Sequence, residues 1–166
     1  MFQRKASPCR QDLVPHKGES VSWISAEVHC VADVEQAVQA VTAAAMLTAG
    51  FSETEMLRLR LALEEALVNA HKHGHRGDWS KPIRLRYHAS EMGVVAEIED
   101  QGRGFDPTQV PDPLAPENLE RDSGRGLFLM RTYMSNVCHN AEGNCVCLCR
   151  HCPGNTATNP PPAGEP

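Results

Sequence analysis

The sequence predicts an α+β fold, a two-layer sandwich with helices on one face of a mainly antiparallel sheet. Three observations carry this reading. Two apolar repeats of helical period follow one another between residues 34 and 74, two runs of strand period flank the turn Glu91-Met92-Gly93, and two more flank Glu142-Gly143. Hairpins impose antiparallel pairing, and helices with one apolar stripe need a sheet face to bury it against.

The elements follow in order. The stretch to about residue 18 mixes Lys, Arg, Pro and Gln without an apolar period and reads as a mobile arm. Val21, Trp23 and Ile24 suggest a strand. Asp33 is a candidate cap for a helix running from Val34 through Val38, Val41 and Ala45, with Gly50 as its stop. Ser52 and Glu55 form a capping box, and Met56, Leu59, Leu63, Ala66, Leu67 and Ala70 then repeat at helical spacing up to Gly74. A polar loop over 75–81 leads to strands at 83–87 and 94–99. Residues 100–125 turn to Gly, Pro, Asp and Arg, a loop too long to be mere connection. A short helix over 126–134 and hairpin strands at 136–139 and 144–150 follow. Residues 153–166 are Pro-rich and read as a disordered tail, which leaves 19–152 as the folded domain.

A length of 166 residues suits one hydrophobic core. A net charge of -5 with scattered Lys and Arg argues against direct nucleic-acid binding, which needs clustered cations. No stretch approaches the roughly 20 apolar residues of a membrane span, and no apolar run follows positive charges at the start, so the expected location is the cytoplasm. Seven cysteines, an odd number, favour reduced thiols. Four crowd into one segment, Cys145, Cys147, Cys149 and Cys152; the first three fall at strand period on one face, with Cys138 opposite one of them. Alternating thiols on a flat strand splay apart, unlike the paired cysteines of a zinc knuckle, so partly buried thiols are expected rather than metal.

Glu65 and Asn69 stand at i and i+4 on the second helix, one turn apart on one face. Leu63, Ala66, Leu67 and Ala70 take the core stripe, which leaves that pair at the boundary with solvent. An amide oxygen suits magnesium, and a carboxylate beside it can accept a proton. Glu64 points elsewhere around the helix and reads as a solvated residue, while Lys72 and His73 read as helix-end cations. Asp100-Gln101-Gly102-Arg103-Gly104 follows directly on a strand, where Asp100 can accept from an adenine amino group and Gly102 and Gly104 let backbone approach a flat ligand. Ser123-Gly124-Arg125-Gly126-Leu127 opens a helix, whose N–H groups and dipole suit phosphate oxygens, and Arg125 can add a charge-assisted contact. Leu127, Phe128, Leu129 and Met130 read as core packing behind that loop.

Taken together, Glu65-Ala66-Leu67-Val68-Asn69-Ala70 resembles the N box, Asp100 to Gly104 the first glycine box, and Gly124-Arg125-Gly126-Leu127 the second, of the Bergerat-fold ATPase and kinase superfamily (GHKL). The resemblance spans roughly residues 20 to 150, and within the superfamily the chain looks most like the anti-sigma factor serine kinases of bacterial partner switching. It implies ATP and magnesium as cofactors, Glu65 as general base, Asn69 as magnesium ligand, and Asp100 as the adenine acceptor. It also implies that Gly102, Gly104, Gly124 and Gly126 shape the pocket and hinge a lid over about 107–123. The implied partners are a sigma factor and a STAS-type anti-anti-sigma protein whose serine takes the γ-phosphate, and a homodimer is compatible with this. Three rival functions fit less well. A nucleotide-gated binding module has no need of a proton acceptor such as Glu65. A sensor histidine kinase would add a dimerising helix pair, and a gyrase-type ATPase a transducer domain.

Overall fold

The computed structural model describes residues 22–110 and 124–152. Five strands form one sheet of order β1-β2-β3-β5-β4, with every neighbouring pair antiparallel. They are β1 (Ile24–Val28), β2 (Ile83–Ser90), β3 (Gly93–Glu99), β4 (Asn136–His139) and β5 (Cys145–His151). The helices α1 (Val31–Ala49), α2 (Glu53–Asn69) and α3 (Arg125–Tyr133) cover one face, the α+β sandwich that the sequence predicts. The arm before residue 19, Val21, residues 111–123 of the expected lid and the tail from 153 lie outside the described residues.

Alternation decides which face the helices cover. Ile83, Leu85 and Tyr87 of β2, Val94, Ala96 and Ile98 of β3, and Leu148 of β5 are buried with Val38 and Val41 of α1 and Leu59, Leu63 and Leu67 of α2 in one core. The second helix starts as its capping box requires: the Glu55 N–H donates to Ser52 Oγ, and the Ser52 N–H donates to Glu55 Oε2 at 3.0 Å. Burial pushes the Glu55 carboxyl up, but the Ser52 N–H, the Ser52 hydroxyl and Arg150 outweigh it and hold it below the usual range. Arg150 lies 3.6 Å from Glu55 and also donates to the Tyr133 carbonyl at 2.8 Å, so one side chain of β5 ties the start of α2 to the end of α3.

Several boundaries differ from the sequence reading: α2 gives way to a π-turn at Ala70 short of Gly74, β2 runs on to Ser90, and the first helix and first strand are redrawn. The first helix begins at Val31 after Cys30, and Asp33 is not its cap. A thiol is a poor acceptor, and Asp33 in the first turn instead reaches back to accept the His29 N–H at 2.8 Å. That bond lowers the Asp33 pKa. The first strand starts at Ile24 and continues to Val28, because its register against β2, from Ile24↔Tyr87 to Val28↔Ile83, brings Val28 into the core. Gly50 closes α1 in the left-handed conformation, as expected.

On the helix-free face Val95, Cys147 and Cys149 are buried, with Trp23 and Cys138 packed against them. Cys138 stands opposite Cys147, whose Sγ lies 3.9 Å from that of Cys149. Arg86 pairs with the buried Glu97, and its guanidinium lies 5.3 Å from the Trp23 ring centroid. No helix among the described residues is long and apolar enough to cross a membrane.

Candidate functional site

The core stripe of α2 sets where its polar pair points. Leu59, Ala62, Leu63, Ala66 and Leu67 are buried, and Glu65 and Asn69 are left half-buried along the flank that meets α3. Glu64 turns to the solvent side, where Arg60 donates to it at 2.8 Å. Opposite Glu65 and Asn69 stands the backbone of Gly126, in the first turn of α3. A methyl group there would lie 2.6 Å from Glu65 Oε2 and 2.9 Å from Asn69 Nδ2, so any side chain at this position would push the ends of Glu65 and Asn69 aside. Leu127 and Met130 hold the helix in place from within the core, while Phe128 and Leu129 are only partly buried. Gly124 caps α3 with φ 92° and without a side-chain cap, and Arg125 is the first, exposed, helical residue. The second helix and the second glycine segment therefore meet, as the sequence reading requires of a shared site.

Asp100 follows the last residue of β3, and three successive N–H groups fix its turn. The Asp100 N–H donates to the Asn144 carbonyl at 2.9 Å, the Gln101 N–H to His75 Nε2 at 2.9 Å, and the Gly102 N–H to Asp100 Oδ1 at 2.7 Å. The Asn144 side chain returns the first bond by donating to the Asp100 carbonyl at 3.2 Å, and it is itself held by Asn140 at 2.7 Å. The carboxylate lies over Gly74, at the end of a π-turn over Ala70–Gly74 that widens the last turn of α2. His75 and Asn144 are the participants that sequence reasoning missed. Their partners are 26 and 44 residues away, so no local spacing signals them.

Gly104, with φ +71°, packs on the turn of the β4–β5 hairpin. A methyl group there would overlap the Glu142 carbonyl oxygen and lie 2.8 Å from the Gly143 carbonyl carbon, and Gly143 in turn faces the Phe105 backbone. The Phe105 N–H donates to the Gly143 carbonyl at 3.3 Å. The first glycine segment is thus braced by the far hairpin.

Burial raises the pKa of half-buried Asp100, and the Gly102 N–H pulls it only part of the way back. The folded state therefore holds this proton more tightly than the unfolded chain, a stabilisation that is full at acid pH and is lost as pH rises through the raised value. Asp100→Asn keeps the acceptor for Gly102 and removes the half-buried charge. It is expected to melt above the parent at neutral pH, with the difference closing on acidification. Thermal melts across pH check this, and a variant melting lower at neutral pH would show that the charge stabilises the turn.

A groove of about 310 Å³ crosses the helix-free face, lined in part by Glu27, Arg84, Arg86, Glu97 and Glu99, and none of the predicted site residues lines it. The site described above lies at the other layer, between α2, the Asp100 turn and α3.

Comparison with known proteins bears on the family of the chain. The family model described as a histidine kinase-like ATPase domain matches residues 28–150. The serine-protein kinase RsbW of Listeria innocua is 32% identical over 95 residues, which cover 54% of this chain and 60% of that protein. RsbW of Bacillus subtilis is 28% identical over 112 residues, covering 63% of this chain and 70% of that protein. The match thus spans about 60% of the length of the Listeria relative. Residues 28–150 contain both helices of the flank, the Asp100 turn and both hairpins, and on that match the chain belongs to the histidine kinase-like ATPase domain family, within the GHKL superfamily.

Proposed function

We propose that this chain is a cytoplasmic, ATP- and magnesium-dependent protein-serine kinase that also acts as an anti-sigma factor, transferring the γ-phosphate to a serine of a STAS-type anti-anti-sigma protein. The observation that carries the reading is the meeting of Glu65 and Asn69 with the backbone of Gly126 at the start of α3. This puts a proton acceptor, a hard oxygen donor and helix N-terminal N–H groups within one small space. The similarity to serine-protein kinases supports the choice of a serine hydroxyl as acceptor.

In this reading Asp100 accepts a hydrogen bond from the adenine amino group, and the first-turn N–H groups of α3, with Arg125, receive phosphate oxygens. Glu65 takes the proton of the attacking serine as its oxygen bonds to the γ-phosphorus and the bond to the bridging oxygen breaks, releasing ADP. The donor set fits magnesium: the amide oxygen of Asn69 lies beside a carboxylate, in a cradle that a methyl group at Gly126 would fill. When bound, the ion offsets charge on the phosphate oxygens. Gly102, Gly104, Gly124 and Leu127 shape the walls around these groups.

The test mixes the purified chain with labelled ATP, magnesium and candidate STAS proteins. Label on a serine of the acceptor supports the kinase, and tight partner binding without transfer would replace it with a nucleotide-gated binding module. Asn69→Ala is expected to lose the magnesium-dependent part of ATP affinity, roughly 10–100-fold by comparison with other weakened metal sites. Titrations with and without chelator check this. A variant whose affinity still falls on chelation as the parent's does would remove Asn69 from the metal site.

A further inference from the structure

Three polar side chains are buried among the described residues, Glu55, His75 and Glu97. The fold accounts for two of them, because Glu55 completes the capping box and meets Arg150, and Glu97 pairs with Arg86. His75 is different. It is 4% exposed, its Nε2 accepts the Gln101 N–H at 2.9 Å, and its Nδ1 is buried without a hydrogen-bond partner among the described residues. An imidazole nitrogen that accepts a backbone N–H carries a lone pair, so the ring is neutral with its proton on Nδ1. An apolar ring would fill the same space without a buried, unpaired Nδ1–H, but it would give the Gln101 N–H no acceptor.

What the ring does hold is the middle of the Asp100 turn. Asn144 takes the N–H before it and Asp100 Oδ1 takes the N–H after it, so His75 supplies the acceptor for the remaining one. With Oδ1 engaged by Gly102, the orientation of the carboxylate, and hence the position of Oδ2, depends on the turn staying rigid.

We propose that His75 is a positioning residue for base selectivity: its neutral ring pins the Gln101 N–H, so that Asp100 presents one carboxylate oxygen at a fixed place to an amino-bearing purine. This rests on Asp100 being the adenine acceptor. His75 itself touches no nucleotide in this scheme. A hydrogen-bond acceptor at the Nε2 position is the required property, and glutamine can place its amide oxygen there, whereas phenylalanine fills the space without an acceptor.

The experiment titrates the full chain with fluorescent ATP and GTP analogues and compares the ratio of affinities for the parent, His75→Phe, His75→Gln and Asp100→Asn, with a melting curve for each. The ratio is expected to fall about tenfold in His75→Phe, the worth of one well-placed hydrogen bond. It is expected to return close to the parent's in His75→Gln, even where the two variants melt alike. If His75→Phe does not fold, His75→Asn, whose shorter amide falls short of the Nε2 position, takes its place. A ratio unchanged in His75→Phe while Asp100→Asn loses selectivity would overturn the role of His75 and leave the adenine reading standing. A ratio unchanged in Asp100→Asn would overturn the adenine reading itself. Equal loss of selectivity in the Phe and Gln variants would reduce His75 to packing.

Discussion

If Glu65 is the general base proposed above, Glu65→Gln is expected to lower the rate of phosphoryl transfer by about 10²–10⁴-fold, the usual worth of a positioned general base. Glutamine keeps the size of the side chain and so preserves the space it fills beside Gly126, where an added Cβ would lie 2.6 Å from Glu65 Oε2. The loss should therefore fall on the chemical step, and nucleotide affinity should stay near the parent's. Single-turnover transfer from labelled ATP gives the rate, and titration with a fluorescent analogue gives the affinity. Glu65→Ala should lose transfer as well, but it opens the contact with α3 and mixes a packing effect with the chemical one. A glutamine variant that transfers at the parent's rate would mean that Glu65 is not the base. One that loses affinity as steeply as rate would make it a binding group.

The largest effect on stability is expected at Gly104, where the first glycine segment packs on the β4–β5 hairpin. Gly104→Ala places a methyl group on the carbonyl of Glu142 at a backbone φ of +71°. The left-handed conformation costs about 1–2 kcal/mol for a non-glycine residue, and forcing backbone apart at a packed contact adds about 1–3 kcal/mol. Together these amount to about 2–5 kcal/mol, a fall in Tm on the order of 10 °C for a chain of this size. Gly77→Ala is the control, since Gly77 has φ +80° and nothing within 4 Å, and so carries the conformational cost alone. Urea melts of the two variants measure the difference. If they lose the same stability, the contact between the first glycine segment and the β4–β5 hairpin contributes nothing. If the contact matters, Gly104→Ala should also weaken nucleotide binding, because the same hairpin holds the Asp100 turn through Asn144.

Much of the candidate site was legible because its parts are local. Ser52 and Glu55 announce where α2 begins, and the apolar repeat that follows sets its buried stripe. Once that stripe is known, helical geometry alone puts Glu65 and Asn69 on a common flank. The hairpins were legible in the same way, from strand-period runs around Gly93 and Gly143. Local reasoning failed at Cys30, where a residue with no capping oxygen begins a helix and Asp33 serves from inside the first turn. It also stopped the first strand at Ile24, since the reason to continue to Val28 is the pairing partner in β2.

By itself, then, the order of residues determined the class of fold, the start of the second helix and the common flank of Glu65 and Asn69, since each depends on neighbours within a few positions. The tertiary structure alone decided that Gly126 lies against Glu65 and Asn69, that His75 and Asn144 grip the Asp100 turn, and that Arg150 joins two helices. Those contacts join segments far apart in the chain, and their geometry follows from how the sheet and helices pack, which no spacing along the sequence encodes.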